Sequence, residues 1–299
     1  MKSNFNKVIP LLLLAIPVTG RCAELPVTRA QWLMGTVCEI QAWGPRALEG
    51  SSAAFAEIAR LERVLSLYRE ESELSALNRE AFRVPFRCSP ELWEALSAAL
   101  SAARESGGAF DPTILPLRKG PSALGLVGHR KLALDSSRRS VRFTLPGMGI
   151  DPGGIGKGLA LDHAAAALRR AGVRAALINF GGQIYALGSP PGAPGWRVRA
   201  PGLAQELLVK DASVSTSGDS ERPGHILSPF TGLPLRRHRS VTVVAPTGAQ
   251  ADAWSTALFV LHPRLPRSFH GCVLSTGPGG PRARNCARYL RNQYKGETR

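Results

Sequence analysis

Between Leu48 and Leu65, Ala, Phe, Ile and Leu recur at helical spacing with Arg and Glu between them, which predicts an amphipathic helix. A shorter helix is expected around Ser72–Asn78, with Ser72 as the N-cap of the turn Glu73-Leu74-Ser75. Pro90 suits a helix start, and Glu91–Arg104 continues that helix to a stop at Gly107-Gly108. Leu159–Arg170 reads as a helix ending at Gly172, and Gln250–Leu261 as the last helix of the chain. Strands are expected at Trp32–Trp43, Ala175–Phe180, Ile184–Leu187 and Ser240–Val244. Helices and strands mix without the strict alternation of a doubly wound sheet, and there is no internal repeat or long linker. The expected fold is therefore α+β, a single domain with mixed sheets flanked by helices.

The amino terminus departs from this pattern. Lys2 and Lys7 precede an apolar run from Val8 to Val18 that meets small or polar residues, as in a secretory signal over residues 1–20 cut after Gly20. Arg21 precedes Cys22, which argues against a lipid-bearing cysteine there. No later apolar run approaches membrane-spanning length. The expectation is an exported, periplasmic domain over 24–299, with inner-membrane association left open. Of five cysteines none forms a CxxC pair, which excludes zinc ribbons and thioredoxin-like chemistry. Cys272 and Cys286 are either a staple of the C-terminal segment or two separate buried thiols.

Composition narrows the partners. Lys and Arg number 38 against 22 Asp and Glu, a net charge of +16, so an anionic partner is favoured. Part of the excess is a basic C-terminal segment from about residue 264. Aromatics are only 6%, with no zinc-finger, RNA-stacking or helix-turn-helix pattern, so nucleic acid is not expected.

Three clusters carry candidate chemistry. Gly147–Gly158 holds six glycines around Asp151 and Lys157, yet fits neither a P-loop nor a dinucleotide fingerprint. A glycine-rich turn opening a helix still aims backbone N–H groups and a positive dipole end outward, which suits phosphate; the alternative is a plain turn with Lys157 solvated. Ser213–Arg222 followed by His225–Pro234 concentrates hydroxyls, acids, Arg and His without apolar periodicity and reads as a loop, with His225 a general base or a structural histidine. Asp252 and Thr256, four apart in an apolar helix, face one side; they suit Mg²⁺ or serve as capping groups.

Taken in order over roughly residues 30–262, the motifs resemble the ApbE family of FAD:protein FMN transferases. They are Met34-Gly-Thr36, Ser66-Leu-Tyr68, Ser72–Arg79, Gly108–Thr113, Asp151–Gly158, Asn179–Gly182, Ser215–Gly218, His225–Gly232, Ser240–Pro246 and Ala251-Asp-Ala253. The resemblance implies a T-fold-like domain that moves FMN from FAD to a Thr or Ser hydroxyl of an exported or membrane redox protein, releasing AMP. It implies FAD contacts at Met34, Tyr68, Ala109, Phe110, Asp111, Asp151, Lys157 and Leu227. It also implies Mg²⁺ on Asp252, Thr256, Ser255 and the carbonyl of Gly154, with His225 as the base. Hydrolysis of FAD to FMN and AMP, or FAD binding without turnover, are the alternatives. Gln183 and Ser228 stand where the family usually has Asp, and Gly156 where Ala is common.

Overall fold

The computed structural model describes residues 25–203, 206–219, 223–261, 266, 269–278 and 280–290. The signal segment, Cys22 and the end of the basic tail lie outside the described residues. Strands β1 (Val27–Leu33), β2 (Thr36–Trp43), β6 (Ala175–Phe180), β7 (Gln183–Leu187), β10 (Ala212–Gly218), β11 (Ser240–Ala245), β12 (Cys272–Thr276) and β13 (Arg282–Arg284) form one antiparallel sheet in that order. β3 (Phe86–Arg87), β5 (Ser140–Phe143) and β4 (Leu132–Asp135) form a second sheet, and β8 (Trp196–Arg199) with β9 (Glu206–Val209) a third.

The helices are α1 (Ala47–Leu65), α2 (Glu73–Glu80), α3 (Pro90–Glu105), α4 (Gly156–Arg170) and α5 (Gly248–Leu261). Each expected helix forms, and Ser72 caps α2 as read, accepting from Ser75 N–H at 3.0 Å. The apolar stripe of α1 (Phe55, Ile58, Leu61) packs with Leu161, Leu168, Ile40 and Ile178 of α4 and the sheet in one cluster. On the sheet's opposite side Trp196, Val198, Leu207 and Val209 of the small β8–β9 ribbon pack against Val214, Val244 and Leu274. Cys272 and Cys286 form a disulfide at the end of that layer.

Two expectations are corrected. The single strand Trp32–Trp43 is a hairpin, because Met34 (φ 46°) and Gly35 (φ 74°) make a two-residue turn and Leu33 pairs with Thr36. Positive φ at both central residues matches the strand twist, and glycine supplies the second at no steric cost. The hydroxyl-rich run at Ser213 is no loop but strand β10, inserted between β7 and β11. Its alternation of Ser213, Ser215 and Ser217 with Val214 and Thr216 is the period of two that betrays it.

Backbone meets backbone between α4 and α5. A Cβ on Gly158 would stand 2.2 Å from the carbonyl oxygen of Gly248, and one on Gly248 would stand 2.2 Å from that of Gly158. Gly158→Ala is expected to destabilise the protein by about 1–3 kcal/mol or more, since backbone must move. At Gly156 a Cβ meets only the Pro152 Cβ at 3.5 Å, an ordinary contact. Gly156→Ala should therefore be neutral or stabilising by up to ~1 kcal/mol. Chemical denaturation of both variants checks the pair, and equal effects would refute the crossing as a constraint.

Candidate active site

The three sequence clusters meet where α4 begins. Asp151 is anchored by its own N–H, which donates to Pro112 O at 2.8 Å, and its Oδ1 accepts from Gly153 N–H at 2.8 Å. Its Oδ2 pairs with Arg118 at 2.7 Å, a residue that no sequence motif singled out. Burial works against the Arg118 charge, but Asp151 and the Tyr68 hydroxyl more than offset it and raise its pKa. Tyr68 itself is 87% exposed, a large ring with open faces. Gly154 lies under Phe110 and Thr256, whose ring edge and Oγ1 would stand 3.0 and 3.1 Å from a Cβ there.

Helix α4 starts with Ile155 in the cap position and no capping side chain, nor any acid in its first turn. The Gly156 N–H turns back to Pro152 O at 2.7 Å, and the Gly158 N–H donates to Asp252 Oδ2 at 3.1 Å. The Lys157 N–H between them has no partner among the described residues. A helix amino terminus of this kind carries partial positive charge and open donors.

Asp252 is 6% exposed. Burial pushes its carboxyl above the usual carboxylate range, against the nearby Lys157 charge and the Gly158 N–H, which pull it down. Beneath it lies a chain of hydroxyls. Ser255 Oγ, fully buried, donates to Asp252 O at 2.9 Å. Its partners Ser217 at 2.8 Å and Ser215 at 3.3 Å must then donate to it. Ser217 is thereby free to accept from Thr256 Oγ1 at 3.3 Å. This polarity commits Ser255 entirely within the protein and leaves the lone pairs of Thr256, with Asp252 Oδ1, uncommitted. Ser215 and Ser217 were legible only as motif letters; strand periodicity was the signal that would have placed them beside α5.

The remaining predicted residues stand further out. Ala109, Phe110 and Asp111 are buried, and the Asp111 carboxylate faces inward, accepting from Thr113 N–H and Oγ1 (2.9 and 2.6 Å) and from His129 N–H and Nδ1 (2.8 and 3.1 Å). Met34 lies on the β1–β2 turn, and just past it Val37 O accepts from Gly181 N–H at 3.0 Å. His225 is exposed at the foot of a small hairpin in which Leu235 N–H donates to Ile226 O, and Leu227 bridges Pro234. At its tip Ser228 Oγ accepts from Phe230 and Thr231 N–H, a local turn rather than a site contact. Gly232 sets this hairpin against Leu117 and Pro121, next to the Arg118 that pairs with Asp151.

No group of three or more His, Cys, Asp or Glu able to hold a metal occurs among the described residues. One buried carboxylate whose charge burial opposes, with uncommitted hydroxyl lone pairs one turn away, is nevertheless a hard oxygen donor set. It fits a cation of the Mg²⁺ type that completes its shell with water and phosphate oxygens.

A family model described as the ApbE family matches residues 34–269. The chain is 32% identical over 291 residues to a FAD:protein FMN transferase of Treponema pallidum, covering 81% of this chain and 80% of the relative. It is 33% identical over 243 residues to one of Klebsiella pneumoniae, covering 71% and 75%. Among solved structures, the ApbE protein of Thermotoga maritima superposes with a TM-score of 0.78 at 26% identity, covering 87% of this chain and 96% of that one.

The hydroxyl polarity separates two neighbours by experiment. Ser255→Ala removes three buried hydrogen bonds and should lower stability by about 1–3 kcal/mol. Thr256→Val keeps shape and should leave the melting temperature within about a degree or two of wild type while weakening divalent-cation binding by roughly ten-fold or more. Thermal melts with Mn²⁺ titration read both, and the reverse assignment would overturn the polarity.

Proposed function

The chain belongs to the ApbE family, and from that membership and the geometry of α4 and α5 we propose that it is an FAD:protein FMN transferase. The observation that carries the reading is the meeting of an uncapped, lysine-bearing helix amino terminus with a buried, cation-seeking carboxylate. That pairing suits a diphosphate. Its two phosphates need donors and positive charge on one side and a cation on the other.

In this reading the Lys157 side chain and backbone N–H hold the diphosphate oxygens, and Tyr68, with Met34 on the β1–β2 turn, offers surface to the flavin. Asp252, Thr256 and the Gly154 carbonyl would hold Mg²⁺, which when bound would neutralise diphosphate charge and polarise the leaving oxygen. A Thr or Ser hydroxyl of the acceptor forms the new bond to the FMN-side phosphorus as the bond to the AMP oxygen breaks. His225 takes the hydroxyl proton. AMP leaves with the electron pair of the broken bond, and FMN remains phosphoester-linked to the acceptor. Phosphoryl transfer of this kind depends on positioning and charge stabilisation, which the residues at this helix junction supply.

The acceptor we infer is an exported or membrane electron-transfer protein, met in the periplasm after removal of residues 1–20. The Cys272–Cys286 disulfide supports an oxidising compartment, where such bonds persist.

Incubation with FAD, Mg²⁺ and a candidate acceptor should yield protein-bound flavin fluorescence on a denaturing gel, together with AMP. AMP without labelled acceptor would indicate a pyrophosphatase, and neither product a binding protein. Asp252→Ala should abolish turnover by orders of magnitude at low millimolar Mg²⁺ with the fold intact. His225→Ala should slow transfer by roughly 10²–10⁴-fold while FAD still binds. Lys157→Met should weaken FAD about ten- to a hundred-fold and leave riboflavin, which has no phosphate, unaffected. Equal losses for the two ligands in a fluorescence titration would remove Lys157 from the diphosphate.

A further inference from the structure

Two side chains with no part in the chemistry above grip the backbone at the first residue of α5, meeting at the Gly248–Ala249 peptide. The N–H groups of Gly248 and Ala249 donate to the two carboxylate oxygens of Asp162, at 2.6 and 3.0 Å. From the other side the Gly248 carbonyl accepts from Gln183 Nε2 at 3.0 Å. Asp162 follows Gly158 by four residues on α4, so it rises from the same face one turn on. Gln183 opens β7 and is 3% exposed. Two elements, α4 and β7, therefore converge on the first residue of α5, and Asp252 follows it by one turn on the same face.

We propose that Asp162 and Gln183 are positioning residues of the transfer reaction, fixing through the Gly248 peptide where Asp252 stands against the amino terminus of α4. The inference rests on the reading of Asp252 as the carboxylate that holds the divalent cation.

The chemistry at position 183 supports it. The Gln183 amide supplies the donor to the Gly248 carbonyl. It does so at a visible disadvantage, since its own Oε1 is buried without a hydrogen-bond partner. An amide buried with half its capacity unused points to the half that is used.

The test compares Asp162→Asn, Gln183→Met, Gln183→Glu and the Asp162→Asn/Gln183→Met double variant in the full mature protein. Three quantities are read: kcat and KM for FAD, normalised to the folded fraction by near-ultraviolet circular dichroism; melting temperature; and Mn²⁺ affinity by electron paramagnetic resonance without FAD. Each single variant is expected to lose about ten-fold or more in kcat and in Mn²⁺ affinity, with KM for FAD changed less than about three-fold. The double variant should be no worse than the poorer single by more than about three-fold, because both residues act on one peptide and their effects cannot add. Gln183→Glu at neutral pH should be as impaired as Gln183→Met, since it keeps the size and loses the donor.

Variants that lower only the melting temperature, a Gln183→Glu enzyme with full activity, or fully additive losses would each overturn the proposal. Asp252→Ala is the control that separates the two levels. If it leaves Mn²⁺ binding intact, the reading of the site fails; if it abolishes binding while the clamp variants bind normally, only the positioning role fails.

Discussion

The absence of two side chains, at Gly158 and Gly248, is the constraint on which the site depends. With backbone against backbone at that crossing, the first turns of α4 and α5 stand closer than any pair of Cβ atoms would permit. Only at that separation can the Gly158 N–H reach the Asp252 carboxylate on the neighbouring helix. The same closeness puts the Lys157 charge within influence of Asp252. Larger residues at either position would push the helices apart, and the donor end of one helix would no longer face the carboxylate of the other.

This arrangement holds two opposed tendencies in balance. Burial raises the free energy of the Asp252 anion, so its charged form needs compensation that water would otherwise give. One backbone N–H and one lysine supply part of it, and the uncommitted oxygen is left to a ligand. Below, the polarity running from Thr256 through Ser217 and Ser255 to the Asp252 carbonyl orients hydroxyl lone pairs in a set direction. Preorganised dipoles of this sort do not have to reorient when charge arrives, the property that phosphoryl transfer exploits.

Outside the helix junction the surrounding elements act as a frame with differing rigidity. Asp111 spends no hydrogen-bonding capacity on solvent: its carboxylate ties Thr113 to His129 and so holds the Phe110 that covers Gly154. Segment 112–126 then connects both rims, through Arg118 to Asp151 and through Leu117 and Pro121 to the hairpin that follows His225. A flavin between Tyr68 and that hairpin would touch parts of the chain far apart in sequence but joined by this one segment.

Local sequence determined much of this protein by itself. Helical periodicity, the Ser72 cap, Pro90 and the glycine stops placed five helices, because caps, proline geometry and the 3.6-residue repeat act over a few neighbours. The motif letters likewise marked Asp151, Lys157, Asp252 and Thr256. Tertiary structure alone decided the rest. The Met34-Gly35 turn was hidden inside a run of strand formers, since nothing apolar breaks there and only the pairing of β1 with β2 shows it. Strand β10 looked like a polar loop because its serines face not water but α5, and a residue's neighbour across a sheet leaves no trace in its own sequence context. Arg118 and Asp162 carry no motif, and Gln183 stood out only as a departure from one; their partners lie 33, 86 and 65 residues away. Contacts between such distant residues are set by how helices and sheet pack as solids, and that packing is not written in any short stretch of chain.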